Sequence, residues 1–390
     1  MADINASIHF LLLIFFSSTF LYLKLLNLVP AMAFSMLSSW VGLDCCRWSG
    51  VVCSQRVPRV IKLKLRNQYA RSPDANDEDT GAFEDDYGAA HAFGGEISHS
   101  LLDLKDLRYL DLEHEQFEGL QIPKFIGSFK RLRYLNLSGA SFGGTIPPHL
   151  GNLSSLLYLD LNSYSLESVE DDLHWLSGHL PRDLGKLCNL RTLKLSFNSI
   201  SRETTEFMDG LSECVNSSSL ESLDLGFNYK LGGFLPNSLG HLKNLKSLHL
   251  WSNSFVGSIL NSIGNLSSLQ GFYISENQMN GIIPESVGQL SALVALDHSE
   301  NPWVGVMTES HFSNLTSLTE LAIKKSSPNI TLVFNVNSKW IPPFKLNYLE
   351  LRTCQLGHKF PAWLRTQNQL KTIVLNNARF QTRYLIGFGS

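Results

Sequence analysis

Ser141 lies in the stretch GASFG (Gly139 to Gly143), which matches the G-x-S-x-G pattern of the hydrolase nucleophile elbow. In such an elbow the serine hydroxyl attacks an ester or amide carbonyl, and an acid and a histidine later in the chain complete the triad. The serine must stand on a sharp turn between a strand and a helix. The elements around Ser141 therefore decide whether the match has chemical meaning.

An internal repeat surrounds Ser141 and runs through most of the chain. The frame L-x-x-L-x-L, first clear at Leu107, Leu110 and Leu112, returns mostly every 24 or 25 residues. In several frames an asparagine, or once a cysteine, follows three residues after the last apolar position: Asn198, Asn228, Asn253, Asn277, Asn301 and Cys354. This is leucine-rich-repeat spacing. It places Ser141 in a repeat turn with no helix after it, and so predicts that Ser141 is not a nucleophile.

The repeat predicts an α/β fold class, a leucine-rich-repeat solenoid (horseshoe or superhelix) with a parallel sheet of short strands on its concave face. The leucines of each frame point inward from a strand, and the asparagine satisfies backbone groups where the chain leaves it. One repeat cannot bury its apolar face alone, so neighbouring repeats stack. We expect about eleven repeats over residues 57–380, followed by a non-repeat tail at 381–390.

Composition and motifs exclude several function classes. The 390 residues are 44% hydrophobic with a formal charge of −3 and contain no lysine- or arginine-rich run, which predicts no nucleic-acid partner. Kinase, P-loop and H-E-x-x-H motifs are lacking, and the histidines and cysteines are scattered. We therefore expect a protein that is not an enzyme and has no cofactor and no metal.

The N-terminus carries a long apolar run, roughly Ile8 to Val29, followed by AMA (Ala31 to Ala33). This pattern predicts a secretory signal peptide over residues 1–33. Because no lysine or arginine precedes the run, a retained signal anchor stays as the alternative. No later stretch approaches the roughly 20 apolar residues of a membrane span. We expect a secreted, extracellular chain without a span after the signal segment.

Two further patterns carry a family resemblance. GTIPPHLGNLSSL and GIIPESVGQLSAL share the form G-x-[IL]-P-x-x-[LV]-G-x-L-x-x-L, and LSSWVGLDCCRWSGVVC (Leu37 to Cys53) is similar to an N-terminal capping segment. The chain resembles the plant leucine-rich-repeat receptor-like proteins, most of all those that perceive fungal xylanase. The resemblance implies a partial N-terminal cap at 34–56 and an ectodomain at the plasma membrane in defence signalling. It also implies a protein or peptide elicitor as ligand and a co-receptor kinase ectodomain as a possible partner.

The chain departs from that family at both ends. The upstream cap cysteine, the C-terminal cap, the membrane span and the short tail have no counterpart in the sequence. We therefore expect a member truncated before the span. The alternatives are a secreted inhibitor of microbial cell-wall-degrading enzymes and a fragment without function.

The cysteines and sequons give further expectations. The resemblance implies a disulfide between Cys46 and Cys53 and leaves Cys45 without a partner. Cys188 and Cys214 lie in adjacent repeats, where they form either a bridge or two separate buried thiols. Six cysteines behind a signal peptide favour an oxidising compartment. Candidate glycosylation sites are Asn136, Asn152, Asn216, Asn265, Asn314 and Asn329.

An acidic insertion at 67–92 interrupts the first repeat. Its carboxylates lack the spacing of a calcium loop, so a solvated, partly disordered segment is expected, with a partner-binding island as the alternative.

Strand alternation selects the candidate ligand-binding residues. Tyr109, Tyr134 and Tyr158 occupy one column on the concave face, about 5 Å apart if strand spacing is normal. His249, Trp251 and Tyr273 form a second aromatic group. Aromatic side chains are common binding anchors, although tyrosine can also be merely tolerated on an open strand face. A glycan on Asn136 would cover the first column, and in that case we expect binding at the second group.

Overall fold

The computed structural model describes residues 44–67, 92–163, 176–214, 218–325, 332–357 and 360–376. The predicted signal peptide, nearly all of the insertion and the predicted tail lie outside these residues. The chain divides into two compact units at the bond between Ile200 and Ser201.

The first unit contains one sheet built from the repeat frames. A short antiparallel pair, β1 and β2, begins it, and the parallel strands β3, β4, β6 and β8 follow in order. A second, smaller sheet joins β5, β7 and the start of β9. The strands are β1 (Val51–Cys53), β2 (Val60–Lys64), β3 (Tyr109–Asp111), β4 (Tyr134–Asn136), β5 (Gly144–Thr145), β6 (Tyr158–Asp160), β7 (Leu176–Gly178), β8 (Thr192–Lys194) and β9 (Ser199–Glu203).

The second unit repeats this arrangement. A parallel sheet contains, in order, β10, β12, β14, β15, β17, β19 and β20. In addition, β11 pairs with both β9 and β13, and β16 pairs with β18. The strands are β10 (Ser222–Asp224), β11 (Lys230–Phe234), β12 (Ser247–His249), β13 (Ser254–Val256), β14 (Gly271–Tyr273), β15 (Ala295–Asp297), β16 (Gly305–Met307), β17 (Glu320–Lys324), β18 (Leu332–Phe334), β19 (Tyr348–Arg352) and β20 (Thr372–Asn376).

Helical turns return the chain from each strand to the next. Most are single 3₁₀ turns, and several begin directly after the proline of the G-x-[IL]-P segment, whose restricted φ holds the chain extended up to that point. They are Cys45–Arg47, His99–Asp103, Lys124–Ser128, Pro148–Asn152, Asn237–His241, Asn261–Asn265, Glu285–Gln289, Glu309–Phe312 and Ala362–Thr366. Two α-helices, α1 (Arg182–Gly185) and α2 (Thr205–Ser212), replace the 3₁₀ turn in their repeats. The fold is thus a leucine-rich-repeat solenoid, as the spacing predicts.

The core consists of the leucines of the L-x-x-L-x-L frames and of an asparagine ladder. The ladder is formed by the buried residues Asn198, Asn228, Asn253, Asn277 and Asn301. Leu107, Leu110 and Leu112 are at most 1% exposed, as are most of their counterparts in later repeats. Each fully buried leucine contributes about 1.5 to 3 kcal/mol of hydrophobic stabilisation. In the ladder, Asn277 Oδ1 accepts from the Phe255 backbone N–H of the preceding repeat, and its Nδ2 donates to the Leu250 and Ile274 carbonyls. The ladder therefore ties one repeat to the next.

Two repeats place an unusual residue in this pattern. Glu115 stands where other repeats have the ladder asparagine; Oε2 accepts from the Phe93 backbone N–H, while Oε1 has no hydrogen-bond partner among the described residues. Burial raises the pKa of this carboxyl well above its usual range. His298 replaces a frame leucine and is fully buried. Both departures place a titratable group inside the solenoid core.

Ser141 lies in a turn with φ +52°, and its carbonyl accepts from the Gly119 backbone N–H at 2.8 Å. The chain then forms a bridge between Gln121 and Gly143 and enters β5. A nucleophile elbow needs a helix directly after the serine, so the G-x-S-x-G match is a by-product of the repeat turn.

The cysteines follow two patterns. Cys46 and Cys53 form a disulfide with Cα atoms 5.5 Å apart. Cys188 and Cys214 are both disulfide-bonded, so the interpretation as separate buried thiols is wrong. Cys45 and Cys354 are free thiols. The sulfur atoms of Cys45, Cys46 and Cys53 lie within 4.8 Å of one another, but the disulfide leaves only one thiol there to bind a metal.

Candidate functional site

The tyrosine column forms on the open face of the first sheet, the face opposite the buried leucines. The Tyr109 and Tyr134 rings stack with centroids 4.0 Å apart and planes 4° apart, and Tyr134 and Tyr158 stack at 4.5 Å and 6°. The strand register aligns the three residues directly, which brings the rings face to face. The spacing is close to the predicted 5 Å. The result is a continuous aromatic surface three repeats long.

Two aspartates hold the outer tyrosines of the column by hydrogen bonds to their hydroxyl groups. Tyr109 Oη donates to Asp111 at 3.1 Å and Tyr158 Oη donates to Asp160 at 2.8 Å. Burial is the main cause that raises the pKa of Asp111 and of Asp160. The ammonium groups of Lys62 and Lys64 lie 5.7 and 5.8 Å from the Tyr109 ring centroid, within cation–π range. The rings are therefore held in one orientation before any ligand arrives.

In the second aromatic group, His249 and Tyr273 stack on each other, while Trp251 packs on a ring of the preceding repeat. The His249 and Tyr273 rings stack at 4.4 Å, because β12 and β14 pair these residues directly. The His249 ring is also held by the Ser247 hydroxyl, 2.7 Å from Nε2. Trp251 packs against Phe227 in the preceding repeat, with centroids 5.5 Å apart. A Cβ on Gly226 would lie 2.4 Å from Trp251 Nε1, so the absence of a side chain there makes room for the indole.

The sequons separate into buried and exposed positions. Asn136 is 3% exposed, its Oδ1 accepts from the Ser138 backbone N–H and its Nδ2 donates to Glu113 at 3.2 Å. A glycan on Nδ2 would break this arrangement, so the structure argues against Asn136 as an acceptor and against a glycan over the column. By contrast, Asn152, Asn265 and Asn314 are exposed at or just beyond the ends of 3₁₀ turns. Asn216 and Asn329 lie outside the described residues.

A recess of about 460 Å³ opens on the second sheet, and the sequence did not single it out as a site. Tyr273 stands at one end and Tyr348 at the other, and carboxylates line it between them. The available sequence signal was two small residues at open-face positions: Ala322, between Asp297 and Glu350, and Ala295, between Gly271 and Glu320. Small residues on an open face count as a signal only once their neighbours across the sheet are known.

Within the described residues, no helix is both long and apolar enough to cross a membrane.

Comparison with known families agrees with the fold. Residues 23–54 match the leucine-rich-repeat N-terminal domain, and residues 131–153 and 244–266 match the leucine-rich repeat. The chain thus carries leucine-rich repeats and is similar to plant receptor-like proteins.

Its relatives include two receptor-like proteins of tomato, Solanum lycopersicum. The chain is 36% identical to EIX1 over 234 residues, which is 58% of this chain and 20% of EIX1. It is 41% identical to EIX2 over 115 residues, which is 29% of this chain and 10% of EIX2. Identity to the receptor-like protein Cf-9 of Solanum pimpinellifolium is 30%, over 54% of this chain and 20% of Cf-9. The alignments thus span a fifth or less of each of these relatives.

Solved plant receptor ectodomains share the fold. The ectodomain of the Arabidopsis thaliana receptor kinase GASSHO1/SCHENGEN3, in complex with CASPARIAN STRIP INTEGRITY FACTOR 2, matches with a TM-score of 0.69 and 25% identity. This match covers 96% of this chain and 41% of that one. The Arabidopsis receptor kinase HAESA, in complex with the peptide hormone IDA and the co-receptor SERK1, matches with a TM-score of 0.60 and 25% identity. Here the coverage is 89% of this chain and 59% of HAESA.

Proposed function

We propose that this chain is an extracellular recognition ectodomain of the plant receptor-like type, which binds a protein or peptide elicitor in defence signalling. The observation that carries the proposal is the stacked, pre-oriented column of Tyr109, Tyr134 and Tyr158 on an open sheet face. Rigid tyrosines supply a large contact area at little cost in conformational entropy, so they are efficient anchors for a protein ligand. The His249–Tyr273 stack and Trp251 form a second anchor group.

The relatives support the biological setting. EIX1, EIX2 and Cf-9 are receptor-like proteins, and the HAESA structure contains a peptide hormone together with a co-receptor. By analogy, a co-receptor kinase ectodomain is the expected second partner. We expect binding rather than catalysis; the candidate nucleophile Ser141 lies in a repeat turn, without the helix that a nucleophile elbow requires.

Secretion and glycosylation form one prediction. When the chain is expressed in plant cells, we expect cleavage before Phe34 and glycans on the exposed Asn152, Asn265 and Asn314, with Asn136 unmodified because its amide is buried and hydrogen-bonded. Peptide mass mapping with and without a glycosidase, together with N-terminal sequencing, measures both. Substantial occupancy of Asn136, or an unglycosylated product that retains Met1, would contradict the prediction.

The ligand assay tests the proposed function directly. The purified, glycosylated chain is immobilised and titrated with a fungal xylanase, the elicitor class implied by the resemblance described above. We expect Tyr134→Ala and Trp251→Ala to weaken binding, and the hot-spot residue among them to do so by about tenfold or more. The matched control is Phe234→Ala, which removes an aromatic residue that is 67% exposed on β11, outside the sheet that carries both aromatic groups.

The same titration separates the alternatives when xylanase activity is also measured. Binding without loss of xylanase activity supports recognition, whereas stoichiometric inhibition supports a secreted inhibitor of wall-degrading enzymes. If both anchor variants and the control bind as tightly as the wild type, the aromatic residues are merely tolerated on the open face. Absence of any binding by the folded wild-type chain would favour a fragment without this function.

A further inference from the structure

The recess on the second sheet arises from the order of side chains across four strands. The register places Tyr273 beside Asp297, Asp297 beside Ala322, and Ala322 beside Glu350. In the adjacent row, Ala295 pairs with Glu320, and Glu320 with Tyr348. The two alanines leave space that larger residues would fill. The tyrosines stand three strands apart, roughly 14 Å at ordinary strand spacing.

Negative charge dominates this space. Five carboxylates against two cations leave a formal net charge of −3 in the lining, from Glu276, Asp297, Glu300, Glu320 and Glu350 with Lys324 and Arg352. Both cations are already paired, Lys324 with Glu300 at 2.6 Å and Arg352 with Glu350. Among the described residues, Asp297, Glu320 and Glu276 have no ion-pair partner, and Glu276 accepts a hydrogen bond from the Ser252 hydroxyl. Two of these three unbalanced charges, Asp297 and Glu320, lie beside the alanines.

The ends of the recess are aromatic and held in place. Tyr348 Oη donates to Glu350 at 2.5 Å, and Tyr273 stacks on His249. Burial is the first cause that raises the pKa of Tyr273, with Glu320 and Asp297 adding to it. The pKa of Tyr348 is raised to about 12, mainly by its hydrogen bond to Glu350. Burial and the nearby charge of Asp297 raise this pKa as well. The negative potential of Asp297 thus reaches both tyrosines.

These features fit one kind of occupant. A volume of about 460 Å³ is within the range of protein ligand pockets, which run from about 300 to 1,000 Å³. A guanidinium group pairs with carboxylates in two-pronged geometry and stacks on aromatic faces, whereas an ammonium group does so less well. We propose that this recess binds an arginine side chain of the peptide or protein ligand, with Asp297 and Glu320 as its counter-ions and a tyrosine face beside it.

This inference rests on the proposed function, since it assumes a peptide or protein ligand on the open face. The test uses a separate probe, a fluorescein-labelled hexa-arginine peptide, titrated by fluorescence anisotropy in low and physiological salt. The hexalysine peptide is the comparison probe. The double variant Asp297→Asn/Glu320→Gln removes the two unpaired charges beside the alanines, and Ala322→Leu fills the recess without a charge change. Glu206→Gln/Glu213→Gln is the control, because it removes two carboxylates of the same unit outside the recess lining.

We expect hexa-arginine to bind the wild type more tightly than hexalysine does. Asp297→Asn/Glu320→Gln should weaken hexa-arginine binding at least tenfold and Ala322→Leu by a similar factor, while the control changes it less than twofold. Equal losses in the recess and control variants would reduce the effect to general charge attraction and overturn the proposal. Equal affinity for the two peptides, or no binding to the folded wild type, would also overturn it. Since xylanase is absent from this assay, failure here leaves the proposed function standing, and failure with xylanase leaves the recess standing.

Discussion

Asn277→Ala is expected to lower the free energy of unfolding by about 3 kcal/mol, because it leaves buried backbone groups of two repeats without partners. The variant loses the acceptor for the Phe255 N–H at 2.9 Å and the donor to the Leu250 carbonyl at 2.8 Å. It also loses the contacts of Nδ2 with the Ile274 and Ser275 carbonyls of its own turn. Urea unfolding followed by circular dichroism measures the change.

The matched control for this prediction is Asn280→Ala. Asn280 is exposed three residues further along the same repeat, so its replacement should stay within about 0.5 kcal/mol of the wild type. Similar losses in the two variants would mean that the ladder does not bind the repeats together.

His298→Leu is expected to raise stability at neutral pH by about 2 kcal/mol and to abolish part of the acid sensitivity of the fold. Both ring nitrogens are buried without a hydrogen-bond partner among the described residues, and the ring packs edge-on against Phe272 at 5.2 Å. The other repeats have leucine or isoleucine at this frame position, so an aliphatic replacement suits the site. The backbone role of His298, whose carbonyl accepts from Trp303 Nε1 at 2.8 Å, is retained.

The pH dependence follows from the buried ring. Full burial lowers the pKa of His298 from 6.5 to about 3, so the folded chain keeps the ring neutral while the unfolded chain protonates it below pH 6.5. The unfolded state then binds more protons, and stability falls as the pH drops from 6.5 towards 3. Between pH 7 and pH 4 this group should cost the wild type about 3 kcal/mol that the leucine variant does not lose.

Parallel urea titrations at pH 7 and pH 4 measure the difference between the two proteins. His241→Leu, at an exposed position of the same unit, makes the same chemical change and should leave the wild-type pH dependence unaltered. Identical slopes of stability against pH for the wild type and His298→Leu would contradict the assignment to this ring.

Much of the candidate site could be predicted from the repeat frame, because strand alternation fixes which residues face outward. Tyr109, Tyr134 and Tyr158 fall at equivalent frame positions, and their stacking follows from the register. The burial of Asn136 could not be predicted in this way. Its sequon and frame position are the same whether the amide is open to solvent or bonded to Glu113, a residue 23 positions earlier.

The sequence by itself determined the repeat period, the inward leucines, the ladder positions and the residues on the open face, since all of these follow from local spacing. Only the tertiary structure decided what the open-face residues form together. Trp251 turns towards Gly226 and Phe227 in the preceding repeat, and the recess beside Asp297 exists because Ala295 and Ala322, on neighbouring strands, lie between two tyrosines from other strands. Side-chain direction and empty volume depend on neighbours about one repeat away in sequence, and such neighbours come into contact only when the strands pair.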